Sequence, residues 1–306
     1  NSFCKAFDFF LMELDNKFLD DIKIAGADEL DASVPLKWLY NVFNKATASF
    51  IEEQTWLDFI NKLIEEDRDS EYPSVRAEFT CTKDNVTITQ EMKLQEFMNE
   101  HDQKSHMVAI CLYTYNPNGI YRKLGRALVD LKHENLIIYE TFISQLAVFM
   151  KYYRIEYKHI HGKDFNLYRG TKQTDLSLFK DGTVLQVRNF VSTSFDLATA
   201  VKYAFNSREN YYFPLLKIKF QDGANFPAVN LAKYSAAPEK EEEVLIEPFA
   251  TMEIGETKEY KLENGKAIDD DGLFENITFQ ETATVIKVIS VTLLPVESTK
   301  KPTVNF

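Results

Sequence analysis

The spacing of apolar residues changes period near residue 160, and that change limits what the chain can build. Upstream, large apolar side chains recur three and four apart. Leu36 to Phe50 and Ile51 to Ile64 carry such stripes and are expected to be amphipathic helices. Phe3 to Met12 has similar content at mixed helical spacing. A second helical block is expected from about Thr89 to Tyr157, interrupted at Asn116-Pro117-Asn118-Gly119 and again at Asp130 to Asn135. Within it, Phe142, Leu146, Phe149, Met150 and Tyr153 read as a core-packing stripe.

Downstream of Gly162 the chain becomes a series of short apolar runs separated by turns. Phe165 to Arg169, Thr183 to Val187, Phe190 to Ser194, Tyr212 to Phe220 and Glu243 to Ile246 read as strands. Thr251 to Ile254, Thr257 to Leu262 and Thr284 to Leu294 read the same way, with one helix expected at Phe195 to Phe205. Helices first and strands afterwards define an α+β organisation with a largely antiparallel sheet. Residues 1–85 are expected to form a helical N-terminal module, and residues 86–306 a second domain that includes its own leading helices.

Charge narrows the partners. Against 35 Lys and Arg stand 47 Asp and Glu, a net charge of -12, with no basic patch to hold a nucleic-acid backbone. The apolar run Thr284 to Pro295 is too short to cross a bilayer as a helix. Asn1 in place of an initiator Met fits a secreted chain whose leader has been removed and fits an intracellular one equally. Cys4, Cys81 and Cys111 read as free thiols, or as one disulfide and a spare, and do not fix the compartment. Asn85-Val86-Thr87 and Asn276-Ile277-Thr278 match the glycan acceptor pattern, which two chance matches also produce.

Three polar islands interrupt the apolar strands. In Tyr168-Arg169-Gly170, a guanidinium at a strand end presents a rigid donor fork suited to phosphate or carboxylate, and Gly170 allows close approach to the backbone. An ordinary strand-end salt bridge uses the same residues. In Ser192-Thr193-Ser194, alternation sends the two serines to one face, where hydroxyls orient a carboxylate or a ligand. Ser194 or Asp196 equally suits the cap of the next helix. Glu241-Glu242-Glu243 runs straight into Val244-Leu245-Ile246, so Glu243 can begin a strand with a fixed direction while Glu241 addresses the same space; a solvated rim is the alternative.

Taken in order, Leu167-Tyr168-Arg169-Gly170, Phe190-Val191-Ser192-Thr193-Ser194-Phe195 and Glu241-Glu242-Glu243-Val244-Leu245-Ile246 resemble the arginine-specific mono-ADP-ribosyltransferases of the Arg-Ser-Glu class. That group holds clostridial-toxin-like and vertebrate ecto-enzymes. Leu112-Tyr113-Thr114 and Ile120 to Leu124 add to the likeness, which covers roughly residues 90–295. The resemblance implies a two-sheet catalytic core that binds NAD as co-substrate and uses no metal. It implies that Arg169 holds the cofactor's phosphate and ribose region, that Gly170 binds the nicotinamide carboxamide, and that Ser192 orients Glu243. Glu243 then stabilises the ribose cation, Glu241 engages an acceptor guanidinium on a protein partner, and about Asn230 to Lys240 recognises the target. The family commonly carries Asn and Arg where the nearest alignment here gives Gly125 and Val129, with Arg122 and Arg126 close by. An NAD glycohydrolase with water as acceptor would use Arg169, Ser192 and Glu243 equally, with Glu241 tilting the balance toward transfer; a catalytically silent interaction module is a further alternative, against which the intact Arg-Ser-Glu positions argue.

Metal chemistry is not expected. His101 and His106 are five apart, His159 and His161 two apart and His133 alone, none with the spacing of a helical zinc site. A dinucleotide fold of the Gly-x-Gly-x-x-Gly type has no support either.

Overall fold

The computed structural model describes residues 33–67, 78–81, 86–115, 119–130, 136–155, 165–171, 179–187, 189–221, 225–236, 243–269 and 271–296. Phe3 to Met12, Cys4, His133, His159, His161 and Glu241 lie outside them. Among the described residues the chain divides into a helical unit, residues 33–153 with 231–236, and a sheet unit, residues 154–230 with 243–296.

The helical unit contains α1 (Ser33–Lys45), α2 (Glu53–Asp67), the hairpin β1 (Glu78–Cys81) and β2 (Val86–Thr89), then α3 (Gln90–Glu100), α4 (Ser105–Thr114), α5 (Ile120–Asp130) and α6 (Glu140–Tyr153). The expected apolar stripe of α6 is its core: Phe142, Leu146, Phe149 and Met150 are buried. Trp56 of α2 meets Phe142 edge-on, and Phe59 stacks on the same ring. Helix α4 is buried on all sides from Met107 to Leu112, which is why its sequence shows no polar face. Thr89 caps α3 by accepting from the Met92 amide at 3.2 Å. The expected long helical block also breaks at a third place, between α3 and α4, where Asp102 and Gln103 adopt positive φ. No Gly or Pro marks that break, so the pattern gave no notice of it.

Among its described residues the sheet unit holds a nine-stranded sheet, the helix α7 (Leu197–Ala204) and a small β6–β7 ribbon (Phe205–Asn206 and Tyr211–Tyr212). Its strands are β3 (Asn166–Gly170), β4 (Val184–Gln186), β5 (Val191–Ser194), β8 (Leu215–Phe220), β9 (Ala228–Asn230), β10 (Glu243–Ile246), β11 (Thr251–Glu263), β12 (Lys266–Ala267) and β13 (Val285–Leu293). The order is β12-β11-β13-β8-β3-β5-β10-β9, with β4 also on β11. All pairings are antiparallel except β13 with β8, which is parallel.

Alternation along these strands feeds two cores on opposite faces. Leu167, Val191, Ile218, Val244, Ile246, Ile254, Ile289 and Val291 form one. Ala200, Val201 and Ala204 of α7 join Tyr212, Leu215, Tyr260, Ile286 and Val288 in the other. The two strands expected at Thr251 to Ile254 and Thr257 to Leu262 are one, β11, whose register on β13 shifts between Ile254 and Thr257. That irregularity adds a residue and flips the facing, so Met252 and Ile254 serve the first core while Tyr260 and Leu262 serve the second. The apolar run Thr284 to Pro295 is accounted for by β13, and no helix among the described residues is long and apolar enough to cross a membrane.

Candidate active site

Arg169, Ser192-Thr193-Ser194 and Glu243 fall on neighbouring strands, in the order β3, β5, β10. Strand β10 is buried from Val244 to Ile246, and only its first residue, Glu243, is partly exposed. Each of those apolar side chains contributes about 1.5–3 kcal/mol when buried, so a slip of one residue against β5 is prohibitive. Register therefore fixes Glu243 opposite Ser194 and Leu245 opposite Ser192. These four side chains share a face. It is the α7 face, because Val191, Val244 and Ile246 at the alternate positions belong to the other core. On it, the Ser192 hydroxyl reaches diagonally and donates to Oε1 of Glu243.

Arg169 arrives from the other neighbour. Strands β3 and β5 share a single registered pair, Tyr168 with Ser194. One residue further along β3, Nη1 of Arg169 donates to the Ser192 carbonyl at 2.7 Å. Ser192 thus joins the cation to the carboxylate, accepting through its backbone and donating through its side chain. The residue is exposed, and Arg169 and Glu243 are half-buried, so the constellation is open to a ligand. A guanidinium that spends one N–H on a backbone carbonyl keeps a fixed orientation for an anion.

The remaining hydroxyls of the second island have separate duties. Thr193 is buried and donates to the Val244 carbonyl at 2.7 Å, stitching β5 to β10. The Ser194 hydroxyl accepts from the Asp196 amide at 3.0 Å. Asp196 then caps α7, taking the amides of Ala198 and Thr199 and the Thr199 hydroxyl. The Thr199 hydroxyl, with help from the two amides, holds the Asp196 carboxyl below its ordinary value. Both capping candidates named from the sequence take part, but the helix amides belong to Asp196.

Gly170 has a reason to be glycine that involves no ligand. A Cβ there would lie 2.5 Å from the Ala200 carbonyl oxygen and 2.5 Å from the Ala204 amide of α7. Both are backbone atoms that cannot swing aside. Small residues on α7 and none at Gly170 let the helix lie directly on β3, beside Tyr168, whose hydroxyl burial pushes up in pKa.

Of the sequence-derived candidates, the structure brings Arg169, Ser192 and Glu243 together and places Gly170 next to Arg169, under α7; Glu241 lies outside the described residues. Among the described residues no group of three or more His, Cys, Asp or Glu is arranged to hold a metal. His106 packs against Tyr152 and Tyr153, and His101 contacts the buried free thiol of Cys111.

Arg169, Ser192 and Glu243 thus stand together on neighbouring strands of one sheet. The family model for NAD:arginine ADP-ribosyltransferase matches residues 65–267, about two thirds of the chain, and the protein belongs to that family. It is an NAD-using ADP-ribosyltransferase of mixed α+β fold. Solved structures similar to it include Plx2a, an ADP-ribosyltransferase toxin from Paenibacillus larvae, at 17% identity, over 65% of this chain and 92% of that one, with TM-score 0.39. The type III effector XopAI from Xanthomonas axonopodis pv. citri shares 13% identity over 87% of this chain and 95% of its own, with TM-score 0.45. An ADP-ribosyltransferase from Clostridium botulinum shares 13% identity over 71% of this chain and 99% of its own, with TM-score 0.38. No curated protein matches the sequence.

Proposed function

We propose that this chain transfers ADP-ribose from NAD to arginine side chains of a protein partner and releases nicotinamide. The observation that carries the reading is the Ser192 hydrogen bond to Glu243, with Arg169 tethered to the carbonyl of the same serine. In this scheme the Arg169 guanidinium binds the pyrophosphate, and backbone groups at Gly170 meet the carboxamide. Glu243, oriented by Ser192, lies against the nicotinamide ribose.

Breaking the bond between ribose and nicotinamide leaves its electron pair on nicotinamide and positive character on the ribose carbon and ring oxygen. A fixed carboxylate stabilises that charge more than it stabilises the neutral starting sugar, which is the requirement for catalysis. Attraction between unit charges at about 4 Å in an effective dielectric near 20 is about 4 kcal/mol before desolvation, and losing about 3 kcal/mol slows a reaction roughly a hundredfold. The acceptor nitrogen then bonds to the ribose carbon and gives up a proton. With a reference pKa above about 12, a guanidinium does not lose that proton first. Deprotonation accompanies or follows attack on the opened sugar, and Glu241 positions the guanidinium and receives the proton.

The test is incubation with labelled NAD and agmatine as a guanidino acceptor, with nicotinamide release followed in parallel. Glu241→Gln should lower transfer to agmatine at least tenfold while nicotinamide release in the absence of acceptor stays within about threefold. Equal loss of both in a folded variant removes the acceptor role from Glu241. Nicotinamide release from the unmodified protein with no labelled agmatine assigns the chain to hydrolysis instead.

A further inference from the structure

Strand β3 pairs with β8 up to its last residue, with Arg169 opposite Leu216 and Gly170 opposite Leu215, so Thr171 comes opposite Pro214. There the Thr171 amide donates to the Pro214 carbonyl at 2.9 Å. Proline has no N–H, so the return bond of an antiparallel pair cannot form and the ladder ends. A side chain reinforces this last rung: the hydroxyl of buried Thr171 donates to the same carbonyl at 2.8 Å. One residue earlier, the Phe213 amide donates to the Ala204 carbonyl at 2.8 Å, which ties the corner to α7.

These bonds decide which way Gly170 faces. Along a strand, the amide and carbonyl of one residue leave by the same edge, and successive residues alternate. With Thr171 turned to β8, Gly170 turns its amide and carbonyl to the β5 edge, as Tyr168 does where it pairs with Ser194. Two residues on, an unbroken ladder would set Gly170 against Ser192. Registered pairing stops at Tyr168 instead, and the Ser192 carbonyl accepts from Arg169. Gly170 therefore presents an N–H donor beside a carbonyl acceptor where the strands part, the complement of a primary carboxamide. Its carbonyl shares one planar peptide group with the Thr171 amide, so holding that amide on Pro214 aims that carbonyl.

We propose that Thr171 is a positioning residue for NAD: its hydroxyl, sharing the Pro214 carbonyl with its own amide, holds the Gly170–Thr171 peptide plane so that the Gly170 carbonyl accepts an N–H of the nicotinamide carboxamide. The inference rests on the proposed placing of the carboxamide at Gly170 and is independent of the acceptor. That contact is made to a substituent of the pyridine ring, away from the ribose bond that breaks, and is the same before and during cleavage. Weakening it raises KM and leaves kcat.

The experiment compares Thr171→Val, which keeps the branched shape and the amide bond to Pro214 but loses the hydroxyl, with Thr171→Ser, which retains it. Release of the pyridine without acceptor is measured for NAD and for its acetylpyridine analogue, in which a methyl group replaces the carboxamide nitrogen. Thr171→Val should raise the NAD KM about three- to tenfold, the worth of one neutral hydrogen bond, with kcat within about twofold. The analogue has no N–H to lose, so its KM should stay within about twofold and the preference for NAD should shrink. Thr171→Ser should keep the NAD KM of the unmodified protein. Equal rises for both dinucleotides, an unchanged NAD KM, or a kcat that falls in step with the melting temperature overturns the role of Thr171. If the valine variant does not fold, Thr171→Ala decides by the same readings. An unmodified protein with equal KM for the two dinucleotides overturns the carboxamide reading at Gly170 and the role of Thr171 with it. A preference for NAD that survives intact in Thr171→Val overturns the role of Thr171 alone.

Discussion

Glu243 and the residues a short way before it are held by different physics. Glu243 is fixed by a sheet: its strand is buried on both faces, its register is locked to β5, and Thr193 adds a hydrogen bond across the same pair. The turn from Leu231 to Ala236 is fixed by a handful of side chains, Tyr234 packed at a tilt on Tyr153, a buried hydroxyl at Thr114 and a thiol at Cys111. Cooperative ladders resist single substitutions because many contacts share the load, whereas a clamp of few contacts yields to one. The contrast teaches that a strand register is hard to disturb by one substitution, whereas a turn held by a few side chains is not.

The largest effect expected is at the sheet-held carboxylate. Glu243→Gln keeps the side chain's shape and its partner Ser192 but removes the charge, so nicotinamide release should fall about a hundredfold, a loss of about 3 kcal/mol of transition-state stabilisation. Turnover within threefold of the unmodified protein, by chromatographic assay of nicotinamide, would break the comparison at its root. Gly170→Ala comes next. A methyl group placed 2.5 Å from two backbone atoms must push α7 off β3, and denaturant unfolding should show a loss of about 2–3 kcal/mol. A variant as stable as its parent would mean that α7 yields where the sheet was argued to be rigid.

Smaller effects probe the edges of the same scheme. Asp196→Ala removes the α7 cap and should cost about 1 kcal/mol. Because the folded carboxyl titrates below its ordinary value, the cap's contribution is present above about pH 4 and fades as pH falls through the folded value. The difference between variant and parent in thermal melts should therefore shrink in acid; a constant gap refutes the cap assignment. The smallest effect belongs to the helical unit. Burial, then Lys104 and His101, lower His106, so the unfolded chain takes up a proton near pH 6.5 before the folded ring does. Stability of the parent should decline as pH drops from about 6.5, and His106→Gln should flatten that decline.

Much of the sheet side was legible from residues alone, and the reason is periodicity. The run Phe190 to Ser194 alternates as a half-exposed strand must, and β5 occupies Val191–Ser194. Glu243 stands at the boundary between charge and apolar run, and β10 begins there. The expected α+β fold, helices followed by a β core, is what the structure shows, with a nine-stranded sheet and two small two-stranded ones among the described residues. What stayed hidden has long-range or very short causes. Strand β9 is three residues, too few for a period. The packing reason for Gly170 was hidden because its helix contacts, Ala200 and Ala204, lie thirty residues away and more. Thr114 stood within a phrase noted for its likeness to a family, yet nothing local announced that its hydroxyl meets Ala236, 122 residues downstream.

The register shift between Ile254 and Thr257 has a consequence for how the sheet unit comes apart. One continuous strand supplies Ile254 to one core and Tyr260 to the other, and β13 does likewise with Ile289 and Val288. Neither core can melt while the other survives, because both would have to tear the same two strands. Heat should dissolve this unit in a single calorimetric step, and no proteolytic fragment that lacks β11 or β13 should keep either half.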